Sequence, residues 1–271
     1  MSNINLLKVK MTKIMAILNV TDDSFYSPSR VMDPKKAIER AFLLQEEGAD
    51  IIDIGAESSR PGALPISESE ELARLLPVLQ GIKGKLSIPI SVDTTKPAVA
   101  KAVLAEGVEM INDIFGFQDP HMRAVVSQSK ARVCVMHMKG TPATMQQHTD
   151  YPEGVIQETK DWLDKQTRLL IHDGIEPERI IIDPGIGFGK TMQDNFTILK
   201  SIKDYQELGF SVLVGASRKS FLSKYLQRPT EELLAATLAV SAYLAFCNID
   251  YIRVHDVRAH RDALDVIQAC K

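Results

Sequence analysis

Eight short apolar runs, rich in β-branched residues, punctuate the chain at 13–20 (KIMAILNV), 50–56 (DIIDIGA), 88–94 (IPISVDT), 110–116 (MINDIFG), 133–138 (VCVMHM), 180–186 (IIIDPGI), 212–217 (VLVGAS) and 251–256 (YIRVHD). Each is followed by a polar or glycine-bearing turn, and longer amphipathic stretches such as 34–47, 67–84, 151–173 and 229–247 lie between them. Near-continuous apolar strands alternating with helices predict a parallel sheet covered on its outer face. Eight such units favour closure, so the fold expected is α/β, a single-domain (β/α)8 TIM barrel over residues 13–271, with 1–12 as a short N-terminal extension. An open, doubly wound sheet is the second choice, because none of the eight runs reads as a polar edge strand.

The polar residues are as regular as the apolar ones. Asn19, Asp53 with Glu57, Asp93, Asn112, His137, Asp183, the stretch Ser217-Arg218-Lys219-Ser220, and Arg253 with His255 stand at or just beyond the C-terminal ends of these runs. In a barrel those ends converge on one rim, where the βα loops build the active site. One acid after a strand is as often the N-cap of the next helix. Repetition on almost every strand, with several groups well ahead of the following helix, reads as a site instead.

Composition narrows the ligand. Of 271 residues, 45% are hydrophobic and 25% charged, the balance of an ordinary globular domain with a sizeable core. The net charge of −3 provides no global basic field, so neither nucleic acid nor a membrane surface is an expected partner. No leader pattern or bilayer-length apolar window stands out. Cys134, Cys247 and Cys270 have no metal-ligand spacing, and Cys134 lies in an apolar run as a buried thiol would. A reducing, cytoplasmic setting is expected. His121, His148, His172 and His260 are expected to be solvated.

At the rim, Asp93, Asn112 and Asp183 suit a flat ligand edge rich in N–H donors, because a carboxylate accepts two parallel hydrogen bonds from such an edge. An aminopyrimidinone presents that edge. Arg60, Arg218, Lys219, Arg253 and His255 supply the opposite sign, whose natural partners are phosphate or carboxylate. The segment Asp183-Pro-Gly-Ile-Gly-Phe-Gly-Lys190 is not a Walker loop, since Gly185 has three residues rather than four before Gly189-Lys190-Thr191. Its glycines read as turn residues that let backbone approach a ligand.

The ordered motifs Ile17-Leu18-Asn19-Val20-Thr21, Asp53-Ile54-Gly55-Ala56-Glu57-Ser58-Ser59-Arg60-Pro61-Gly62, Ser91-Val92-Asp93-Thr94, Ile111-Asn112-Asp113-Ile114, Met136-His137-Met138, Asp183-Pro184-Gly185, Ser217-Arg218-Lys219-Ser220 and Arg253-Val254-His255 resemble the dihydropteroate synthase family. The resemblance covers residues 13–265. It implies a transferase of folate biosynthesis that condenses 6-hydroxymethyl-7,8-dihydropterin pyrophosphate with p-aminobenzoate. By the same resemblance Asp93, Asn112, Asp183 and Lys219 hold the pterin, and Asn19, Ser59, Arg253 and His255 meet the pyrophosphate. Asn19 lies near a Mg²⁺ ion, and Phe25, Ser59, Arg60, Pro61 and Ser220 serve p-aminobenzoate. Asp183, Lys219, Arg253 and His255 are then the catalytic set, sulfonamides are plausible inhibitors, and the assembly is a homodimer. The nearly all-round apolar stretch 229–247 also suggests a partner surface.

Two departures from the family pattern bear on catalysis. The family's first loop runs Asn-Val-Thr-Pro-Asp-Ser-Phe-Ser-Asp-Gly-Gly, whereas here Asp22 replaces the proline, Ser27 replaces the second acid, and Pro28 and Ser29 replace the glycines. The second loop carries Ser59 where threonine is usual. A methyltetrahydrofolate-binding methyltransferase has a similar barrel, but methyl transfer has no use for the cations around 218 and 253. A non-catalytic pterin-binding barrel is the rival from outside the enzymes, supported by the altered first loop.

Overall fold

The computed structural model describes residues 11–21, 33–60 and 62–271. Eight parallel strands pair in sequence order and close on themselves. They are β1 (Lys13–Asn19), β2 (Ile51–Gly55), β3 (Ile90–Asp93), β4 (Met110–Asp113), β5 (Arg132–Met136), β6 (Ile180–Asp183), β7 (Ser211–Val214) and β8 (Tyr251–Val254). The surrounding helices are α1 (Pro34–Glu46), α2 (Glu68–Ile82), α3 (Pro97–Ala105), α4 (Pro120–Ser127), α5 (Val155–His172), α6 (Met192–Lys200), α7 (Ile202–Gln206), α8 (Ser220–Leu226), α9 (Leu234–Phe246) and α10 (Val257–Ala269). The expected TIM barrel is the observed fold.

Local chemistry marks the helix starts. The Asp33 and Asp119 side chains accept from the second backbone N–H of α1 and α4, each with proline at the first helical position. A reciprocal capping box between Thr191 and Asp194 opens α6. Among the described residues no helix is long and apolar enough to cross a membrane.

Strand alternation divides the apolar residues into two sets. Ile14, Ala16, Leu18, Ile52, Ile54, Val92, Ile111, Val133, Val135, Ile182, Val214 and Ile252 join the large core beneath the helices. Met15, Ile51, Met110, Cys134, Ile181, Leu213 and Tyr251 form a separate cluster filling the barrel. Two residues further along the same strands the inward positions are Asp53, Asn112, Asp183 and Arg253. A single step of the alternation therefore separates a dry plug from the polar mouth.

Three sequence expectations need correction. The run 229–247 is not one helix: a 3₁₀ turn over Thr230–Glu232 precedes α9. The carbonyls of Thr230 and Glu231 are drawn to the Arg218 guanidinium, at 3.3 and 3.1 Å, and turn away from the axis of α9. Runs 110–116 and 180–186 leave the sheet at Asp113 and Asp183, because each aspartate takes up following backbone N–H groups. His260 is fully buried, its Nδ1 2.7 Å from the Asp256 carbonyl oxygen, whereas His121, His148 and His172 are exposed as expected.

Candidate active site

Parallel register sets the charges of the mouth side by side. Asp53 pairs with Ser91, Gly55 with Asp93, and Asp93 with Asn112 across β2, β3 and β4. Gly55 lies between two polar groups of the mouth: a Cβ there would be in ordinary contact, 3.5 Å from Asp93 Cβ and 3.7 Å from Asn19 Oδ1. The side chains of Asn19 and Asp93 thus approach one another over a bare backbone.

Asp53 is the hub. It is fully buried, and its Oδ2 accepts from Arg253 Nε at 2.6 Å and from Asn112 Nδ2 at 3.1 Å. Arg253 Nη2 donates to Asp93 Oδ2 at 3.1 Å, so one guanidinium from β8 bridges carboxylates of β2 and β3. Burial pushes Asp93 upward from the ordinary carboxylate range; Arg253 opposes the shift and the Asp53 charge adds to it. Sequence reasoning assigned Arg253 to a phosphate and set Asp53 on the rim without giving it a role in the pocket. The structure gives Arg253 a prior partner in Asp53. The missed signal lay in the strand period, since Asp53 follows the inward Ile51 by two residues.

Asp183 closes the opposite side of the mouth. Its Oδ1 accepts from Gly185 N at 2.7 Å, and burial raises its pKa against the pull of Lys219 and that backbone bond. Lys219, the residue before α8, donates to the Ile186 carbonyl and lies with its Nζ 4.5 Å from the Phe188 ring centre. Burial pushes Lys219 down to about 8 although Asp183 supports its charge. Ser220 is exposed at the first turn of α8.

The remaining expected cations take different parts. Arg218 holds Asp256 with two bonds, Nε to Oδ2 at 2.8 Å and Nη2 to Oδ1 at 2.9 Å, and so braces two loops. His255 lies with Nδ1 3.0 Å from Ser217 Oγ. Burial, and then the neighbouring Arg253, push it down to about 4, so at neutral pH it enters the site uncharged. Ser59 is half-buried and Arg60 exposed on the loop after β2, beside a recess lined by Glu57, Ser58, Thr94 and Lys96. Lys96 anchors that loop through Glu57 at 2.5 Å and Glu71 at 2.6 Å. Phe25, Pro61 and the altered positions Asp22, Ser27, Pro28 and Ser29 lie outside the described residues. The side chains of Lys190 and His137 meet at the loop after β6; His137 was expected on the rim, whereas Lys190 was read only as the end of a glycine-bearing segment.

A (β/α)8 barrel whose mouth gathers three carboxylates, an amide, a guanidinium and an ammonium has the make-up of an enzyme's pocket. Comparison with known proteins agrees. The pterin-binding enzyme family matches residues 15–255. A dihydropteroate synthase of Synechocystis sp. is 43% identical over 97% of this chain and 89% of its own. The solved dihydropteroate synthase of Yersinia pestis, in complex with a sulfonamide drug, superposes with a TM-score of 0.92 at 32% identity, covering 100% of this chain and 98% of that one. That of Thermus thermophilus, in complex with 4-aminobenzoate, superposes with a TM-score of 0.87 at 37% identity, over 98% and 96% of the two chains. The chain belongs to the pterin-binding enzymes and, among them, to the dihydropteroate synthase family.

The Asp53–Arg253 pair should behave as a coupled buried unit. Asp53→Ala should cost about 1.5–3 kcal/mol of unfolding free energy, because it removes a charge-assisted bond and leaves the partly buried guanidinium only Asp93. The double change Asp53→Ala with Arg253→Ala should recover part of that loss. Urea unfolding checks both, and simple addition of the two single costs would deny the coupling.

Proposed function

We propose that this chain condenses 6-hydroxymethyl-7,8-dihydropterin pyrophosphate with p-aminobenzoate, releasing pyrophosphate and forming 7,8-dihydropteroate. The reading is carried by the placement of Asp93, Asn112 and Asp183 on one mouth, with Lys219 beside Asp183. The carboxylates accept from the amino and ring N–H groups of the pterin, and Asn112 adds an amide to that edge. Lys219 meets the acceptor side of the ring. Arg253 and His255, at the end of β8, lie on the side where the pyrophosphate leaves. Ser59 and Arg60, on the loop after β2, and Ser220, at the first turn of α8, are the residues this reading gives to p-aminobenzoate.

The bond from the pterin methylene to the pyrophosphate oxygen breaks with its electrons going to the leaving group. The aniline nitrogen then forms the new C–N bond and loses its proton. The pterin ring delocalises positive charge on the methylene, and acceptors along its donor edge favour that state. Arg253 stabilises the leaving anion while remaining anchored to Asp53.

Asn19 suits a magnesium ion shared with the substrate. Its exposed side-chain oxygen overhangs Gly55 beside Asp93, and among the described residues no group of three or more acids, histidines or cysteines could hold a metal alone. Mg²⁺ keeps several of its waters and takes substrate phosphates, so it requires few protein oxygens. Bound there, the ion would supply charge stabilisation to the departing pyrophosphate.

The assembly that fits this reading is a homodimer. Ala235, Ala239, Tyr243 and Phe246 form an exposed apolar stripe along α9, with Phe246 66% exposed. The opposite stripe, Thr237, Ser241, Leu244 and Ala245, is buried. The free thiols, two of them buried, accord with a reducing cytoplasm. Sulfonamides, as p-aminobenzoate mimics, are the expected inhibitor class.

Pyrophosphate release that requires Mg²⁺ and p-aminobenzoate is the expected result of an end-point assay with the pterin ester. Ester binding without release would instead assign a non-catalytic pterin carrier. Asp183→Ala should weaken binding of bare hydroxymethylpterin by about tenfold or more, since each unpaired buried donor costs about 1–3 kcal/mol. Affinity within about twofold of the wild type would remove Asp183 from the pocket.

His255 makes a proton-linked prediction. Because it begins neutral, a pyrophosphate placed against it should raise its pKa and draw in a proton. At about pH 6, near the ordinary imidazole pKa, ester binding should take up protons and bare pterin binding should not. Calorimetry in two buffers of different ionisation enthalpy measures the difference; equal uptake would leave His255 a neutral hydrogen-bond donor.

For assembly, sedimentation should give a dimer at tens of micromolar (roughly). Phe246→Glu should shift it toward monomer. A wild-type monomer under those conditions would refute the α9 interface.

A further inference from the structure

Lys190 is 3% exposed, yet its ammonium touches no carboxylate among the described residues. Its Nζ lies 2.9 Å from His137 Nδ1, 3.4 Å from the His137 carbonyl oxygen and 3.0 Å from the Phe188 carbonyl oxygen. Three donors meet three neutral acceptors. Burial, with Lys190 next to it, holds His137 well below the ordinary imidazole range, so its Nδ1 is free to accept and Nε2 carries the hydrogen. An ammonium held only by neutral groups is a costly thing to bury, and methionine would fill a similar volume without that cost.

The loop that Lys190 ends is the one that seats the pterin groups. Gly185 N donates to Asp183 Oδ1, and the Ile186 carbonyl receives Lys219. Gly187 N donates to Asn195 Oδ1 at 2.6 Å, and Tyr151 Oη to the Gly189 carbonyl at 2.8 Å. Gly185, at φ +71°, lies so close to β5 that a Cβ would stand 1.9 Å from the His137 carbonyl oxygen. The loop is therefore pressed against the end of β5, and Lys190 is the cation that joins them.

We propose that Lys190 is a positioning residue of this site: its ammonium, shared between His137 and Phe188, locks the loop 185–189 against β5 and so fixes Asp183 and Lys219, which the loop holds. This rests on the pterin-site reading above. The charge also matters. Burial pushes Lys190 down to about 7, with Asp183 from β6 and Asp194 from α6 supporting its charge, and Lys219 before α8 and Lys139 after β5 opposing it. Lys190 in turn lowers the pKa of Asp183. Loss of the lysine loosens the Gly185 N–H from the Asp183 carboxylate and removes a positive neighbour. Both effects favour the protonated acid.

The test is calorimetric binding of bare hydroxymethylpterin to the full chain from about pH 5 to pH 9. For Lys190→Met the expected result is a fall in affinity of about tenfold or more, with the acid limb of the profile displaced to higher pH. Unchanged affinity, or a loss with the acid limb where it stands in the wild type, overturns the proposal. If Lys190→Met fails to fold, His137→Leu decides: it removes the Nδ1 acceptor but keeps the lysine and the carbonyl of residue 137. The proposal then expects a loss of affinity, and full affinity overturns it. Failure of the wild type to bind the pterin would strike the functional reading itself and is separate from either result.

Discussion

The mouth of this barrel depends on the Asp53–Arg253 ion pair. Closing eight parallel strands brings the inward positions of β2, β3, β4, β6 and β8 onto one rim, and the chain has placed three carboxylates there. Unpaired, they would repel one another and resist burial. Arg253 answers two of them at once, with Asp53 at 2.6 Å and Asp93 at 3.1 Å, and Asp53 in turn orients the Asn112 amide. Arg253 also opposes the upward push of burial on Asp93, and so helps to keep that acid an acceptor of the kind a donor-edged ring requires.

A similar balance governs the other half of the mouth. Asp183 is supported by a backbone N–H and the charge of Lys219, and Lys219 is itself held by a carbonyl and an aromatic face. Opposite charges thus stand together before any ligand enters, with both groups bonded to the backbone of the loop after β6. A site arranged in advance loses little to reorganisation when the reacting charge develops. His255 is the exception, because burial keeps it neutral and leaves its charge to be settled by the ligand.

Loop anchorage follows from this. The loop after β2 is tied at its root through Glu57, Lys96 and Glu71, and the loop after β6 through Lys190 and His137. In both cases a lysine joins the ends of two neighbouring strands, β2 with β3 and β5 with β6. The segment around Ser59 and Arg60, beyond these anchors, is more exposed.

Much of this was legible in the residues alone. Eight apolar runs with polar ends determined the barrel and its rim, because burial on both faces demands such strands and the mouth cannot be dry. Ordered motifs determined the family and the acids of the pocket. Strand ends were placed too far along at Asp113 and Asp183, since hydrogen bonds from following N–H groups to aspartate side chains carry no period. The helix at 229–247 was drawn too long because its first carbonyls answer to Arg218, a residue from another loop. Partner choice was decided by tertiary structure alone. Arg253 finds Asp53 across 200 positions of chain, and Lys190 finds His137 across 53. His260, unremarkable in sequence, is fully buried against the Asp256 carbonyl. A sequence states which groups can be charged; the closed barrel fixes their distances and the water left around them, and these decide which charges persist and whom they serve.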